Sequence, residues 1–305
     1  MTCLAMSVTS VVAAACAVGS QGDSGASKCP GYASPPAPGM TIALPPTSST
    51  VAEKVLPLGC MHLLSNRWTD PMATETLFLN TDSSFGWSWD RGNTGTIGPN
   101  YPELEFGVNP WGESENGDLT PVSTTDLLPA QVQDIHSASM TVSVDTSITQ
   151  IGVAWNLAFE MWLSPDDPTK GVTNPKFEIM VWLGNDSTYW PTSPMCDASA
   201  TSYDCGMQMT DGNNSYTLWY ASEDWGTSPM YTYIQFRDSA NASNDQFSGT
   251  LDIYKILQVV NPPGNLYVTR FELGDETSQG DQGMTTVKNI SFEVNGTAEA
   301  ALMKY

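Results

Sequence analysis

Alternation between apolar and other residues is the main pattern of this chain, and it is clearest in residues 176–183. There Glu178, Met180 and Trp182 alternate with purely apolar side chains. Because a strand points successive side chains to opposite faces, the pattern predicts one apolar face and one face that carries a carboxylate. A carboxylate at a packed sheet surface costs free energy unless it is solvated or paired. The second face is therefore predicted to line a wet, aromatic cleft suited to sugar chemistry.

A second alternating run covers residues 151–163 and predicts another strand. One of its faces carries Trp155, Leu157, Phe159, Met161 and Leu163. The opposite face carries Asn156, Ala158, Glu160 and Trp162. If this strand and residues 176–183 are neighbours in one sheet, the carboxylates of Glu160 and Glu178 can approach each other closely.

Further strand-like runs occupy residues 83–89, 139–144, 215–220 and 230–236. Short strands separated by turns at this density predict an all-β fold, a β-jelly roll sandwich of two antiparallel sheets. Such a sandwich has a concave outer face that is free to bind a polymer. One short helix is predicted over residues 251–257, with Thr250 as its N-cap and a Pro-Pro-Gly segment after it.

Charge and composition narrow the possible partners. The net charge is −22, with only 11 basic residues. This field repels nucleic acids and anionic membranes, so neither is expected as a partner. His62 and His136 are the two histidines, which argues against a histidine-dependent triad or a histidine-rich metal site. No cofactor and no metal are expected, and the protein is expected to be a monomer.

The N-terminal part of the chain differs from the rest in composition. Residues 1–20 are small, apolar and uncharged, which predicts a secretory signal, although the usual positive segment is missing. The alternative is a disordered or trimmed end. Residues 21–50 are rich in proline and serine and predict an arm or linker. The catalytic domain is then predicted to cover residues 51–305. No later segment reaches the ~18 apolar residues that a membrane-spanning helix needs.

Cysteines and glycosylation sequons both fit a secreted, extracellular protein. Four cysteines follow residue 20, and an even number in a secreted chain predicts two disulfides with three possible pairings. Cys29 with Cys60 and Cys196 with Cys205 are favoured because each pair closes a local loop. Five Asn-x-Ser/Thr sequons mark predicted glycosylation sites at Asn185, Asn213, Asn241, Asn289 and Asn295.

Several motifs, in the same order along the chain, resemble glycoside hydrolase family 12, a family of endoglucanases and xyloglucanases. The run Glu178-Ile179-Met180-Val181-Trp182 is similar to the family's nucleophile strand. The segment 158–164 resembles the preceding strand, where the family has Ala-Tyr-Asp-Leu-Phe. Residues 274–280 resemble the Gly-Thr-Glu-Pro-Phe-x-Gly segment that carries the acid/base. Residues 247–257 resemble the lone family helix, and residues 66–68 its Asn-x-Trp-Gly motif.

This resemblance implies the roles of three carboxylates. Glu178 would be the nucleophile, Glu276 the acid/base and Glu160 a supporting carboxylate beside Glu178. A retaining glycosidase of this kind holds its two reacting carboxyl groups ~5–5.5 Å apart, against ~6.5–9.5 Å in an inverting enzyme. Glu272 is a rival acid/base, four residues before Glu276. Departures from the family pattern include Glu160 in place of aspartate, Thr69 after Trp68, and residues 277–278 in place of Pro-Phe.

Six residues are candidates for substrate binding because they lie in the matching motifs or in aromatic-rich strands: Asn66, Trp68, Trp87, Trp89, Met180 and Trp182. Tryptophan faces match the apolar faces of pyranose rings. The alternative for each tryptophan is a place in the core, where aromatic side chains bury large areas.

The predicted function is that of a secreted retaining endo-β-1,4-glucanase acting on cellulose-like glucan, mixed-linkage β-glucan or xyloglucan. One alternative is a lectin-like jelly roll that binds carbohydrate without catalysis. Another is a xylanase similar to family 11, against which the strand around Glu178 argues. A pure binding protein has no need for matched acids on neighbouring strands, so the hydrolase is favoured.

Overall fold

The computed structural model describes residues 36–46, 54–67, 69–93, 98–111, 123–186, 208–211, 214–224, 229–237 and 246–301. Between residues 208 and 237, it is the backbone that is described. The strands are β1 (Thr41–Leu44), β2 (Val55–Pro57), β3 (His62–Leu64), β4 (Thr74–Leu79), β5 (Phe85–Asp90), β6 (Glu103–Gly107), β7 (Ala130–Gln131), β8 (Ala138–Gln150), β9 (Trp155–Ser164), β10 (Phe177–Asn185), β11 (Gln208–Asp211), β12 (Asn214–Asp224), β13 (Pro229–Arg237), β14 (Gln246–Asp252), β15 (Tyr267–Thr277), β16 (Gln282–Val294) and β17 (Thr297–Ala300). Helix α1 spans Ile253–Val260, and two 3₁₀ turns span Val132–Asp134 and Pro168–Lys170.

These strands form two sheets. The first has the order β1-β4-β5-β16-β8-β14, with β17 paired to β16. The second has the order β11-β12-β13-β10-β9-β15-β6-β3-β2, with β7 paired to β15. Strand β10 pairs with β13 in parallel, while its other neighbour, β9, is antiparallel like the remaining pairs. The predicted two-sheet, all-β fold with one α-helix is confirmed for the described part of the chain.

The core lies between the two sheets and takes the alternate residues that the sequence predicts. Ile179, Val181 and Leu183 of β10 are fully buried in it, as are the odd-numbered positions of β9 from 155 to 163. Phe106, Phe271 and Phe292 form a stacked or tilted aromatic group, which links β6 and β15 of one sheet to β16 of the other. The opposite faces of β9 and β10 are therefore left for the site.

Trp87 and Trp89 are a correction to the predicted substrate-binding set. Both point from β5 into the core, with exposed fractions of 0% and 2%. Trp87 also donates from Nε1 to the buried carboxylate of Asp275. The apolar face of β5, which includes Phe85, is the face that must be buried, so these indoles cannot stack on a substrate.

Helix α1 starts later than predicted. Its N-cap is Asp252, whose carboxylate accepts a hydrogen bond from the backbone N–H of Lys255, and not Thr250. Thr250 instead belongs to β14, where its hydroxyl pairs with that of Thr141 across the sheet. The helix ends at Asn261, which adopts a left-handed conformation. Because β14 continues directly into α1, the apolar Leu251 belongs to a strand and not to the helical stripe.

The predicted arm, residues 21–50, contains part of the folded domain. Strand β1, at residues 41–44, pairs with β4 in the first sheet. The buried guanidinium of Arg67 donates to the carbonyls of Pro45 and Ala73, at 3.0 and 2.8 Å, and so holds the end of β1 in place. The boundary predicted at residue 51 is therefore too late. Residues 1–20 lie outside the described part of the chain.

Features expected of a secreted protein are described only in part. Cys60 is disulfide-bonded. Cys29, Cys196 and Cys205 lie outside the described residues, so both predicted pairings stay predictions. The sequons at Asn289 and Asn295 are exposed, whereas Asn185 is buried, which disfavours a glycan there. Asn213 and Asn241 are outside the described residues. Within the described ranges, no helix is long and apolar enough to cross a membrane.

Candidate active site

The four strands β10, β9, β15 and β6 present their non-core face as one continuous surface, here called the acidic face. Its polar floor residues, in strand order, are Glu178, Asn156, Glu160, Arg270, Glu272, Glu276, Glu103 and Glu105. The register aligns them in rows across the sheet. Glu160 lies opposite Met180 on one side and opposite Glu272 on the other. Neighbouring strands therefore bring carboxylates together, as the alternation predicts.

Glu178 and Glu160 are diagonal neighbours on β10 and β9. Trp162 is opposite Glu178, and Glu160 is two residues before Trp162 on the same face. Diagonal neighbours in an antiparallel pair lie within about 8 Å, which long side chains can span. Both carboxyl groups are buried, with 6% and 4% of each residue exposed. The predicted proximity of these two acids is therefore supported by the register.

Burial raises the pKa of Glu160 well above its ordinary value, and the negative charges of Glu178, Glu272 and Glu276 raise it further. A protonated Glu160 can donate a hydrogen bond, whereas an ionised one can only accept. Glu160 is thus suited to stabilise an ionised Glu178 beside it. Because the charges of Glu178 and Glu276 both raise the pKa of Glu160, each of these two carboxyl groups lies within electrostatic reach of Glu160.

Glu276 lies near the end of β15 and is less buried than the other acids on this face. Asn156, which is opposite it on β9, donates from its side-chain amide to the carboxylate. Along β9, Asn156 is six residues before Trp162, the residue opposite Glu178. Six strand residues span about 20 Å, so the register places Glu276 well along the acidic face from Glu178, and the separation of ~5–5.5 Å expected for a retaining pair stays a prediction.

The end of β15 is firmly held, which fixes the backbone beside Glu276. Thr277 exchanges two backbone hydrogen bonds with Asn100, at 2.9 and 3.0 Å. The buried guanidinium of Arg91 donates to the carbonyl of Thr277 and, at 2.8 Å, to that of Gly98. A carboxyl group that must both give and take a proton benefits from such a rigid support.

Glu272, the rival acid/base, has a different environment. Only 1% of it is exposed, and its carboxylate forms an ion pair with Arg270. It also accepts a hydrogen bond from Nε1 of Trp162 at 2.7 Å. These contacts occupy Glu272 in holding the floor together. The more accessible Glu276 is therefore the better candidate for contact with a substrate.

Two further acids of this face, Glu103 and Glu105, were not selected from the sequence. Glu105 is 2.8 Å from Nη1 of Arg270, and Glu103 accepts a hydrogen bond from the side chain of Asn66 at 2.8 Å. Burial raises the pKa of both acids, and the charge of Glu272 raises that of Glu103 further. The alternation Glu103-Leu104-Glu105 was a readable signal, since it repeats the pattern around Glu178.

Tyr101 covers the middle of the acidic face and was also missed. Its hydroxyl donates to the carbonyl of Ala158 at 3.1 Å, and its ring lies directly over Gly274. A Cβ atom at Gly274 would come 2.7 Å from this ring and 2.8 Å from the carbonyl of Pro102. Gly274 is therefore required by the close approach of Tyr101.

The other predicted substrate-binding residues lie on or near this face. Met180 and Trp182 project from β10 on the same side as Glu178 but are almost fully buried. Asn66 reaches the face through its bond to Glu103. Trp68 is outside the described residues. No group of three or more histidine, cysteine or acidic side chains in the described ranges is arranged to hold a metal ion.

Comparison with known proteins agrees with the geometry. A family model described as glycosyl hydrolase family 12 matches residues 83–295. Endoglucanase S from Pectobacterium parmentieri is 25% identical over 210 residues, which cover 68% of this chain and 70% of that protein. A family 12 xyloglucanase from Bacillus licheniformis matches 84% of this chain and all of its own, with a TM-score of 0.63 and 18% identity. An endoglucanase from Rhodothermus marinus matches 86% of this chain and 99% of its own, with a TM-score of 0.58 and 18% identity. These two structures show that the fold is a family 12 jelly roll.

Proposed function

We propose that this member of glycosyl hydrolase family 12, a glycoside hydrolase, is a secreted endo-β-1,4-glucanase. It is proposed to retain the anomeric configuration of the sugar. The observation that carries this proposal is the placement of Glu178, Glu160 and Glu276 on one face, with Glu160 sensitive to the charges of the other two. Two carboxyl groups in different environments are what hydrolysis of a glycosidic bond needs.

In the proposed mechanism, Glu178 attacks the anomeric carbon while Glu276 protonates the leaving oxygen. A glycosyl-enzyme forms, and Glu276 then takes a proton from the water that releases the sugar. A neutral Glu160 donates to Glu178 and so favours the ionised nucleophile in the resting enzyme. Asn156 orients Glu276 through its amide. His62, which lies opposite Glu105 on the neighbouring strand β3, has no role in the proposed steps.

The proposed substrates are cellulose-like glucan, mixed-linkage β-glucan and xyloglucan. The relatives support this range, since one is an endoglucanase and another a xyloglucanase. The acidic face extends across four strands, which gives a polymer room on both sides of the reacting bond. The disulfide at Cys60 and the exposed sequons support secretion, because disulfides persist in oxidising compartments.

Release of reducing ends from carboxymethylcellulose, mixed-linkage β-glucan, xyloglucan and xylan tests the proposal. Wild type is expected to release sugar from at least one of the three glucans, and Glu178→Gln and Glu276→Gln are expected to lose nearly all turnover. Glu293→Gln is the matched control, since Glu293 is a partly exposed acid on β16 of the other sheet. Full activity of Glu178→Gln would overturn the assignment. Binding without release would favour the lectin-like alternative, and release from xylan alone would favour the xylanase.

A further inference from the structure

We infer that Trp111 is a stacking platform for a sugar ring of the bound polysaccharide, at the end of the acidic face next to the row of Glu178. This inference rests on the proposed function, because it assigns an additional binding position on the same face. Trp111 lies in the loop after β6, and 37% of it is exposed. None of the sequence motifs includes it.

The position of Trp111 follows from its contacts. Its ring lies 4.7 Å from that of Trp162, in an edge-to-face arrangement with an interplanar angle of 75°. The guanidinium carbon of Arg270 lies over the same ring, 5.2 Å from its centroid. Trp162 and Arg270 are adjacent in the row that also contains Glu178. Trp111 is therefore separated from the nucleophile position by one side chain.

The side chains beneath Trp111 are themselves fixed. Trp162 donates to Glu272 at 2.7 Å, and Arg270 donates to Glu105 at 2.8 Å. An indole that rests on two anchored, buried groups has little freedom to lose when a ligand binds. Such preorganisation is what makes an aromatic side chain effective in binding.

The loop that carries Trp111 is also held at its backbone. The N–H of Trp111 donates to the side chain of Asn109 at 3.0 Å, and the carbonyl of Pro110 accepts from the N–H of Thr173 at 2.8 Å. Thr173 lies in the connection between β9 and β10, so the loop is tied to the strands that carry Glu160 and Glu178. The ring is thus kept at the surface while the backbone around it is fixed.

A sugar is the ligand that suits this arrangement. The exposed indole offers an apolar surface of the size of a pyranose face. A polyanion is disfavoured by the net charge of −22. Loss of one aromatic contact of this kind is expected to weaken binding about tenfold.

The test uses a β-1,4-linked glucose hexamer and the full chain. Its dissociation constant is measured by calorimetry in the Glu178→Gln background, which prevents turnover, with Trp111→Ala and Trp111→Phe added separately. Met284→Ala is the matched control, because Met284 is an exposed apolar residue on the first sheet. We expect a rise of about tenfold for alanine, a smaller rise for phenylalanine, which keeps a ring, and no change for the control.

Kinetics with the unaltered Glu178 separate binding from a structural role. Trp111→Ala should raise KM while kcat at saturation stays within about twofold of wild type. A dissociation constant unchanged in both variants would overturn the inference, as would a loss of kcat with KM unchanged. If Trp111→Ala does not fold, Trp111→Phe alone is the test. An unchanged dissociation constant and an unchanged KM in Trp111→Phe would then contradict the role of Trp111 in stacking. If wild type releases sugar from no substrate, the proposed function fails; if it is active and the variants bind equally, only this inference fails.

Discussion

Asp275 lies on the core side of β15, directly before Glu276, and bridges the two sheets. Its Oδ1 accepts a hydrogen bond from Nε1 of Trp155 at 2.7 Å. Its Oδ2 accepts from Nε1 of Trp87 at 2.7 Å and from the hydroxyl of Thr285 at 2.6 Å. Three donors favour the ionised form, but complete burial opposes it and is the stronger effect. The pKa of Asp275 is raised from 3.8 to about 7.

This raised pKa makes Asp275 a source of stability at low pH. Between the two pKa values the folded protein keeps a proton that the unfolded chain has lost, so the free energy of unfolding falls as pH rises. The stabilisation is complete below pH 3.8 and is lost as pH passes through about 7. A tenfold change in a protonation equilibrium is worth about 1.4 kcal/mol, so the full effect is about 4 kcal/mol.

Asp275→Asn isolates this contribution, because asparagine has a similar shape and does not titrate. Its amide N–H would face an indole N–H, which adds a pH-independent cost of about 1–3 kcal/mol. The assay is equilibrium unfolding in guanidinium chloride at a series of pH values from about 4 to about 8, for both proteins. Other buried acids, such as Asp281, titrate in both proteins, and their effects cancel in the difference.

The expected result is that the stability advantage of wild type over Asp275→Asn shrinks by about 4 kcal/mol across this pH range. If the stability advantage stays constant with pH, the pKa of Asp275 is the same in the folded and the unfolded protein. An advantage that grows with pH would mean that the three donors outweigh burial, and the reasoning above would be refuted.

Three further outcomes are expected. Glu160→Ala should lower kcat/KM about tenfold, because the proposed charge-assisted hydrogen bond to Glu178 is lost; it should also move the acidic limb of the pH–rate profile to higher pH, and an unchanged profile would contradict the role of Glu160. Gly274→Ala should lower the free energy of unfolding by about 1–3 kcal/mol because its Cβ meets the ring of Tyr101; Gly249→Ala, whose Cβ would have its nearest contact at 3.6 Å, is the control in the same denaturant assay. Arg270→Met should destabilise the protein by about 3–5 kcal/mol, since Glu105 and Glu272 lose the buried guanidinium that pairs with them; a variant as stable as wild type in the same denaturant assay would contradict this role of Arg270.

Alternation predicted both faces of β9 and β10 because one face of each strand is wholly apolar. The same rule identifies the face that Trp87 and Trp89 share. Their indoles belong to the core and not to a substrate site, because the large apolar face of a sandwich strand packs against the other sheet. The helix start was misplaced for a similar reason. Leu251 fits a helical stripe, but it is the last part of a strand, and the cap is formed by Asp252.

Contacts between distant parts of the chain could not be predicted from local patterns. Trp87 and Asp275 are 188 residues apart, and Tyr101 covers a glycine far along the chain. Glu103 and Glu105 were readable as an alternating pair, but their place beside Glu272 depends on which strands are neighbours. Sequence patterns therefore gave the faces of single strands, while the order of strands decided which acids meet.

The same strand order changes the chemical character of the acidic face. Burial raises the pKa of Glu103 and of Glu160 well above its ordinary value, whereas Glu105 and Glu272 are paired with Arg270. A face that looks highly anionic in sequence thus contains carboxylic acids that can donate hydrogen bonds as well as accept them. Sugar hydroxyls need both kinds of partner. Because Glu103 and Glu160 ionise as pH rises, their repulsion from the neighbouring carboxylates grows and their hydrogen-bond donors are lost, so substrate binding should weaken at high pH.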